Sequence, residues 1–271
     1  MKIYLFSYIR LNEEEQSDLN LYRHFLDYYI NLGIIPKNIF ILPYGDKNYK
    51  NNFEEFQQIN ESKRVPNQKL ITECYNYVKS HDEYVNWCKN INRSDWVIKC
   101  EMDEFYDYGQ FCTVREAATF LQKNKYVGLR GKMIDCLADD HTLPEVSYPE
   151  DLFNQFPKTV RLTELIIRSN INKVMLNKAY VELMIGHHEF EYTNWKKTED
   201  TMVYTTTWSK KKIVCHEQPT YIAYHFKWIK NLTQRVKLNK KRNLTGQSDF
   251  NEDNLTVSDF LEKDKINLII C

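Results

Sequence analysis

The sequence predicts an α/β domain with a mostly parallel central sheet flanked by helices. Three observations carry that expectation. The first third of the chain alternates a β-rich apolar run (Lys2 to Tyr8), a stretch with Leu21, Phe25, Tyr28, Tyr29 and Leu32 at helical spacing before Gly33, and a second apolar run (Ile39 to Leu42). This is the strand–helix–strand order of a parallel crossover. In the middle, Trp96-Val97-Ile98 reads as a buried strand, and the acids Glu101, Asp103 and Glu104 arrive where it ends. Beyond it, Tyr126 to Ile134 and Pro219 to Trp228 read as further strands, and Leu70 to Lys89 as a helix that feeds the Trp96 strand.

The chain of 271 residues is long enough for one large domain. The expected division is a domain over residues 1–245 and an appended segment over 246–271, which docks elsewhere, for instance on another subunit of a homo-oligomer. Lys+Arg and Asp+Glu both number 37, so net charge gives no reason to expect nucleic acid or an anionic membrane as partner. The 19 Tyr and 14 Phe fit either stacking on bases and sugars or a Tyr-rich core. Seven Cys without a C-x-x-C pair read as reduced thiols. The apolar start is short and soon followed by Arg10 and Glu13, so neither a signal peptide nor a membrane anchor is expected. The expectation is a soluble, cytoplasmic protein.

The first strand leads into Arg10-Leu11-Asn12-Glu13-Glu14, a polar segment where α/β sheets place nucleotides. Arg10 and Asn12 are therefore candidate nucleotide contacts, with ordinary loop residues as the equal alternative. The second strand closes on Pro43-Tyr44-Gly45-Asp46, which puts Asp46 on the same edge, suited to ribose or uracil, although Gly-Asp is also a plain turn. Residues 47–66 read as loop with a short helix around Phe53 to Phe56. On an extended backbone Glu101 and Asp103 share a face while Glu104 points away. Two carboxylates on one face repel unless a cation lies between them, and Mg²⁺ or Mn²⁺ suits such a pair. A solvated acidic turn is the competing reading. Thr113 with Glu116 forms a helix-opening cap. After Ile134 comes a second acidic group, Asp135, Asp139 and Asp140, which on pattern alone is a polar turn. The basic stretch from Trp228 to Arg242 reads as a helix, either a lid over a diphosphate or an amphipathic surface helix.

The run Trp96-Val97-Ile98-Lys99-Cys100-Glu101-Met102-Asp103-Glu104-Phe105 resembles the "W-hydrophobic run-D-x-D-E-F" signature of family 2-like glycosyltransferases, including the related family 92 group. Glu101 stands where the pattern has its first Asp. The strand ending at Arg10 resembles the "strand-R-N-E" opening of the same enzymes, with Leu11 inserted. Asn172 to Lys178 and Val181 to His188 resemble their "K-hydrophobic strand, then G-H-H" block, and Pro219 to Trp228 their closing "strand-H-Y/F" element. The resemblance implies a GT-A-like domain that transfers a hexose-type sugar from a nucleotide-diphosphate donor, UDP by preference, to a hydroxyl on a glycan, protein or small molecule. It also implies roles. Asp103, Glu101 and His225 would hold Mn²⁺ or Mg²⁺; Arg10, Asn12, Asp46, Glu101, Lys173, His187 and Lys227 would contact the donor. An inverting transfer needs a carboxylate to take the acceptor's proton, and Asp135, Asp139 and Asp140 are the candidates. Two rivals remain. A nucleotidyltransferase would carry a Gly-rich phosphate loop after the first strand, which Arg10-Leu11-Asn12-Glu13-Glu14 lacks. A carbohydrate- or nucleotide-binding module of the same fold would have lost turnover.

Overall fold

The computed structural model describes residues 1–11, 16–45, 50–72, 77–140, 142–165, 170–181, 183–184, 188, 190, 192–198, 201–206, 212–227 and 229. In chain order the elements are β1 (Ile3–Leu11), α1 (Gln16–Asn31), β2 (Ile39–Gly45), α2 (Lys50–Lys63), α3 (Tyr77–Cys88), β3 (Trp96–Lys99), β4 (Glu104–Asp107), α4 (Val114–Lys123) and β5 (Gly128–Leu137). Then follow α5 (Leu152–Gln155), β6 (Lys158–Val160), α6 (Leu162–Leu165), β7 (Asn172–Lys178), β8 (Tyr192–Thr198), β9 (Thr201–Thr206) and β10 (Lys212–His225). The strands form one sheet in the order β2-β1-β3-β7-β5-β10-β9-β8, with β4 also on β10 and β6 also on β5.

Strand direction in the central sheet is mostly parallel. β1 pairs parallel with β2 and with β3, and β10 pairs parallel with β5. β7 lies antiparallel to both β3 and β5, so these two run the same way and β7 is inverted between them. The carboxyl ends of β1, β2, β3, β5 and β10 therefore share one edge, where the amino end of β7 joins them.

Side-chain alternation explains how both faces are covered. Ile3, Leu5, Ile9 and Leu11 of β1 enter a core with α1 (Tyr22, Phe25, Tyr29) and α4 (Val114, Ala117, Leu121). Phe6, pointing the other way, packs on Tyr84 and Trp87 of α3. A strand enclosed on both faces needs no polar side, which accounts for the burial of all four residues of β3. Thr113 caps α4 through its hydroxyl, which accepts from the Glu116 amide, while the Glu116 carboxylate accepts from the Cys112 amide.

Several local expectations are revised. β1 extends to Leu11, so Arg10 is a strand residue paired with Tyr44 and not part of a loop. The helix expected from Leu70 does not start there: Ile71 is extended and bridges to Tyr44, its amide donating to the Pro43 carbonyl, because β2 is an edge strand with groups to pair. β5 runs to Leu137, which makes Asp135 a strand residue rather than part of a turn. The β8–β9 hairpin was not expected. Asn12, Asp46, His187, the basic stretch from 230 onward and the expected division at 245/246 lie outside the described residues. Among the described residues no helix is long and apolar enough to cross a membrane.

At Gly131 the neighbouring strands leave no room for a side chain. A Cβ there would overlap the Met175 sulfur and the backbone carbonyl of Tyr221, and the latter cannot swing aside. Gly131→Ala is expected to destabilise the domain by about 1–3 kcal/mol or more, read as a lower urea midpoint; an unchanged midpoint would mean that β5, β7 and β10 do not pack this closely.

Candidate functional site at the carboxyl edge of the sheet

The backbone builds the site before any side chain contributes. β3 ends at Lys99, and residues 100–103 turn so that the Glu104 amide donates to the Glu101 carbonyl at 3.1 Å. β4 then folds back antiparallel onto β10. In register, Glu104 lies opposite His225, and His225 lies opposite Asp135 on the other side. The Phe226 amide donates to the Asp103 carbonyl at 2.8 Å and ties the turn to the end of β10. Three remote stretches of sequence thus meet in one row across three strands.

One network surrounds Lys173. Its ammonium is 2.6 Å from Glu104 Oε1, with the two side chains 2% and 1% exposed. The other carboxylate oxygen of Glu104 accepts from the Tyr106 hydroxyl at 2.8 Å and from the Glu101 amide at 3.2 Å. Burial works against the charge of Lys173, but the carboxylates of Glu104, then Glu101 and Asp103, outweigh it and raise its pKa above the ordinary lysine value.

A second network runs Asp103–His225–Asp135–Thr163. Asp135 receives the Thr163 amide and the Thr163 hydroxyl, each at 2.6 Å, and lies 2.8 Å from Nδ1 of His225. Burial pushes Asp135 up, yet His225 and then Thr163 hold it below the usual carboxylate range. Burial likewise opposes charge on His225, and Asp103 followed by Asp135 overcomes this, so its pKa is raised. With Nδ1 directed at Asp135, the other nitrogen, Nε2, faces Asp103 Oδ2 at 3.7 Å, beyond hydrogen-bond range. Asp103 Oδ1 is buried with no hydrogen-bond partner among the described residues.

On the opposite side of β3, Lys99 is buried. Its ammonium lies 3.2 Å from His81 Nδ1 and 4.6 Å from the centroid of the Tyr84 ring. Burial draws its pKa down to about 8, with Glu101 resisting and Lys173 adding to the fall. Burial and then the charge of Lys99 bring His81 down to about 4, leaving its imidazole neutral at pH 7.

Of the residues singled out in the sequence, Asp103, His225, Asp135 and Lys173 come together. Glu101 stands beside them, half-buried, and its charge acts on both Lys99 and Lys173. Arg10 reaches the same edge at the end of β1, and Lys227 is half-buried just past His225, where its charge opposes protonation of that ring. Asp139 and Asp140 do not join the cluster. They stand exposed after β5, Asp139 near Lys158 at 3.2 Å and Asp140 accepting from the Thr142 amide and hydroxyl. Among the described residues no three His, Cys, Asp or Glu side chains are grouped to hold a metal ion. Asp103 and His225 are the pair that face each other. Sequence reasoning gave no role to Glu104, Thr163, Tyr106, Lys99 or His81. A lysine in an otherwise apolar strand was the available sign for Lys99; Thr163 carried none.

No protein-family model matches the chain, and no curated protein matches it. Among solved structures, it is similar to mannose-6-phosphate isomerase from Helicobacter pylori, with 10% identity over 49% of this chain and 51% of that one, at a TM-score of 0.26. The chain thus spans about half the length of that isomerase. It is also similar to a UDP-glucose pyrophosphorylase complexed with UDP-glucose (10% identity, 83% of this chain and 74% of that one, TM-score 0.31). A third similarity is to mouse xyloside xylosyltransferase 1 (10% identity, 66% and 67%, TM-score 0.25). At such TM-scores the likeness carries no weight for fold or chemistry, which rest on the chain's own pairing and contacts.

Two outcomes follow from the charges. Lys173→Met leaves the Glu104 carboxylate buried without its cation and is expected to cost about 3–5 kcal/mol in urea unfolding, with Glu104→Gln in the same chain recovering part of the loss; no recovery would mean that the two charges do not act on each other. For Lys99, the folded pKa of about 8 lies below the ordinary lysine value of 10.5. Between those pH values the unfolded chain binds the proton more tightly, so the contribution of Lys99 to stability rises with pH across the window. Measured against Lys99→Met, the wild type should gain stability from pH 8 to 10.5; a constant difference would refute a depressed pKa.

Proposed function

We propose that the domain is a metal-dependent glycosyltransferase that moves a sugar from a nucleotide-diphosphate donor, UDP by preference, to a hydroxyl acceptor. The observation that carries this reading is the confrontation of Asp103 and His225. Nδ1 of His225 is engaged by Asp135, its Nε2 lies 3.7 Å from Asp103 Oδ2, and Asp103 Oδ1 is buried with no hydrogen-bond partner among the described residues; with the ring neutral, Nε2 would turn a lone pair toward Asp103. Two acceptors in that arrangement fit a cation. Mg²⁺ in particular takes few protein ligands and fills its remaining positions with phosphate oxygens and water. Asp103 and His225 would hold Mn²⁺ or Mg²⁺, with Glu101 assisting. Bound there, the ion would neutralise charge on the departing diphosphate.

The remaining residues have roles in this reading that follow from their surroundings. Lys173, fixed by Glu104, adds a positive charge that needs no reorganisation as the diphosphate leaves. Arg10 and Lys227, at the same edge, contact the donor. Asp135 is a poor proton acceptor because its oxygens are engaged by His225 and Thr163 and its pKa is lowered; it orients the imidazole.

One observation favours a second reading. The raised pKa of His225 also permits an imidazolium between Asp103 and Asp135, which offsets one of their two negative charges with no metal and suits a nucleotide- or carbohydrate-binding module. Melting curves with UDP, with and without Mn²⁺, separate the two. A transferase site should show stabilisation by UDP that needs Mn²⁺, about 2.7 kcal/mol at a hundredfold excess over Kd, and Asp103→Asn should abolish the metal dependence while the protein stays folded. Stabilisation by UDP that ignores Mn²⁺ would favour the binding module, and no shift with UDP-, GDP- or dTDP-sugars would overturn the transferase reading.

A further inference from the structure

The chain that leaves β5 after Leu137 later returns to the same place: Lys158, Thr159 and Val160 of β6 pair with Leu137, Cys136 and Asp135. β6 has no other strand partner among the described residues. This return carries Thr163, just beyond Val160, back to Asp135, where it is buried. Its amide donates to Oδ2 of Asp135 and its hydroxyl to Oδ1, each at 2.6 Å. An Asp carboxylate otherwise turns readily about its last torsion, which has no sharp staggered wells. Bonds from one residue to both oxygens remove that freedom and fix Oδ1 2.8 Å from Nδ1 of His225. The hydroxyl is 3.4 Å from Nδ1 itself, so its proton goes to the nearer carboxylate oxygen. An ionised carboxylate only accepts. Nδ1 must therefore carry the proton that joins ring and carboxylate, and Nε2 is the nitrogen left on the Asp103 side.

We propose that Thr163 is a positioning residue for the cation site: by clamping Asp135 it holds His225 as the Nδ1–H tautomer, with Nε2 presented beside Asp103. Thr163 acts on a cation only through the reading of Asp103 and His225 as its ligands, whereas the tautomer belongs to the metal-free chain. Partners one bond removed from a metal ligand alter affinity by about tenfold to a hundredfold when lost. An amide at position 135 shows what the clamp decides. The Thr163 N–H can only donate, so it would hold the amide's oxygen and leave the NH₂ group facing Nδ1. The ring would then keep its own proton on Nε2, where a cation must bind.

Long-range proton–nitrogen NMR spectra of the full chain without metal, at a pH above the titration of His225, read the tautomer directly. Wild type should carry the proton on Nδ1, and Asp135→Asn should move it to Nε2. Titration with Mn²⁺ alone, followed by the EPR signal of the free ion, gives the affinity. Thr163→Val keeps the amide and loses the hydroxyl. It should weaken Mn²⁺ binding about tenfold and loosen the ring, seen as lower order in the relaxation of its Cε1–H. Thr163→Ser keeps the hydroxyl and should retain both affinity and ring order, which a role confined to packing of the methyl group would not allow. An Nε2–H ring in wild type, an unchanged tautomer in Asp135→Asn, or wild-type ring order and affinity in Thr163→Val would each overturn the role. If Thr163→Val does not fold, the tautomers of wild type and Asp135→Asn decide. If wild type binds no Mn²⁺, the transferase reading falls, while the tautomers and ring order still decide the role of Thr163.

Discussion

The buried pair of Lys173 and Glu104 is the constraint from which the site follows. A carboxylate placed 1% exposed in a protein interior is untenable alone, and here it is compensated by an ammonium at 2.6 Å and by the Tyr106 hydroxyl and Glu101 amide. Those partners come from β7, from β4 and from the turn between β3 and β4. Satisfying one charge therefore fixes the angle at which the chain leaves β3. Once Glu104 is anchored, Asp103 immediately before it has little freedom, and the bond from the Phe226 amide to its carbonyl completes the placement.

The inverted strand makes this arrangement affordable. Because β7 runs against β3 and β5, it brings the beginning of a strand to an edge otherwise made of strand ends. Lys173 thus reaches the acids from within the sheet, on a strand whose backbone is in register with β5 at Gly131. A lysine on a loop would have to give up more side-chain freedom to hold the same position. The cross-strand row of Glu104, His225 and Asp135 has the same logic: register, not loop conformation, sets the spacing.

Much of the architecture was legible because burial on two faces leaves a plain mark. Trp96-Val97-Ile98 could be read as a strand from its unbroken apolar run, and β1, α1 and β2 from their periods. The errors lie where tertiary pairing overrides local pattern. Leu70 and Ile71 look helical in a window that continues into α3, but the open edge of β2 draws Ile71 into a bridge. Asp135 looks like part of an acidic turn with Asp139 and Asp140, yet pairing with β10 and β6 extends the strand through it. Within the site, the acids of the β3 end and His225 were recognisable by kind. Thr163 was not, since a threonine opening a short helix has no feature that announces a carboxylate 28 residues earlier in the chain.

The shared face expected for Glu101 and Asp103 depends on a period of two along the backbone. It holds for an extended chain, and the chain ceases to be extended after Lys99, where the turn begins. Past that point the backbone, not alternation, decides where each carboxylate goes: Glu104 is drawn inward to Lys173, Asp103 is set against His225, and Glu101 is left half-buried near two lysines. Three neighbouring acids thereby acquire three different electrostatic environments. Glu104 is compensated by an ammonium in contact with it, whereas Asp103 faces the imidazole of His225 across 3.7 Å and keeps one buried oxygen with no hydrogen-bond partner among the described residues. The distribution of lysines around the turn, more than the acidic motif itself, decides which carboxylate is available for chemistry.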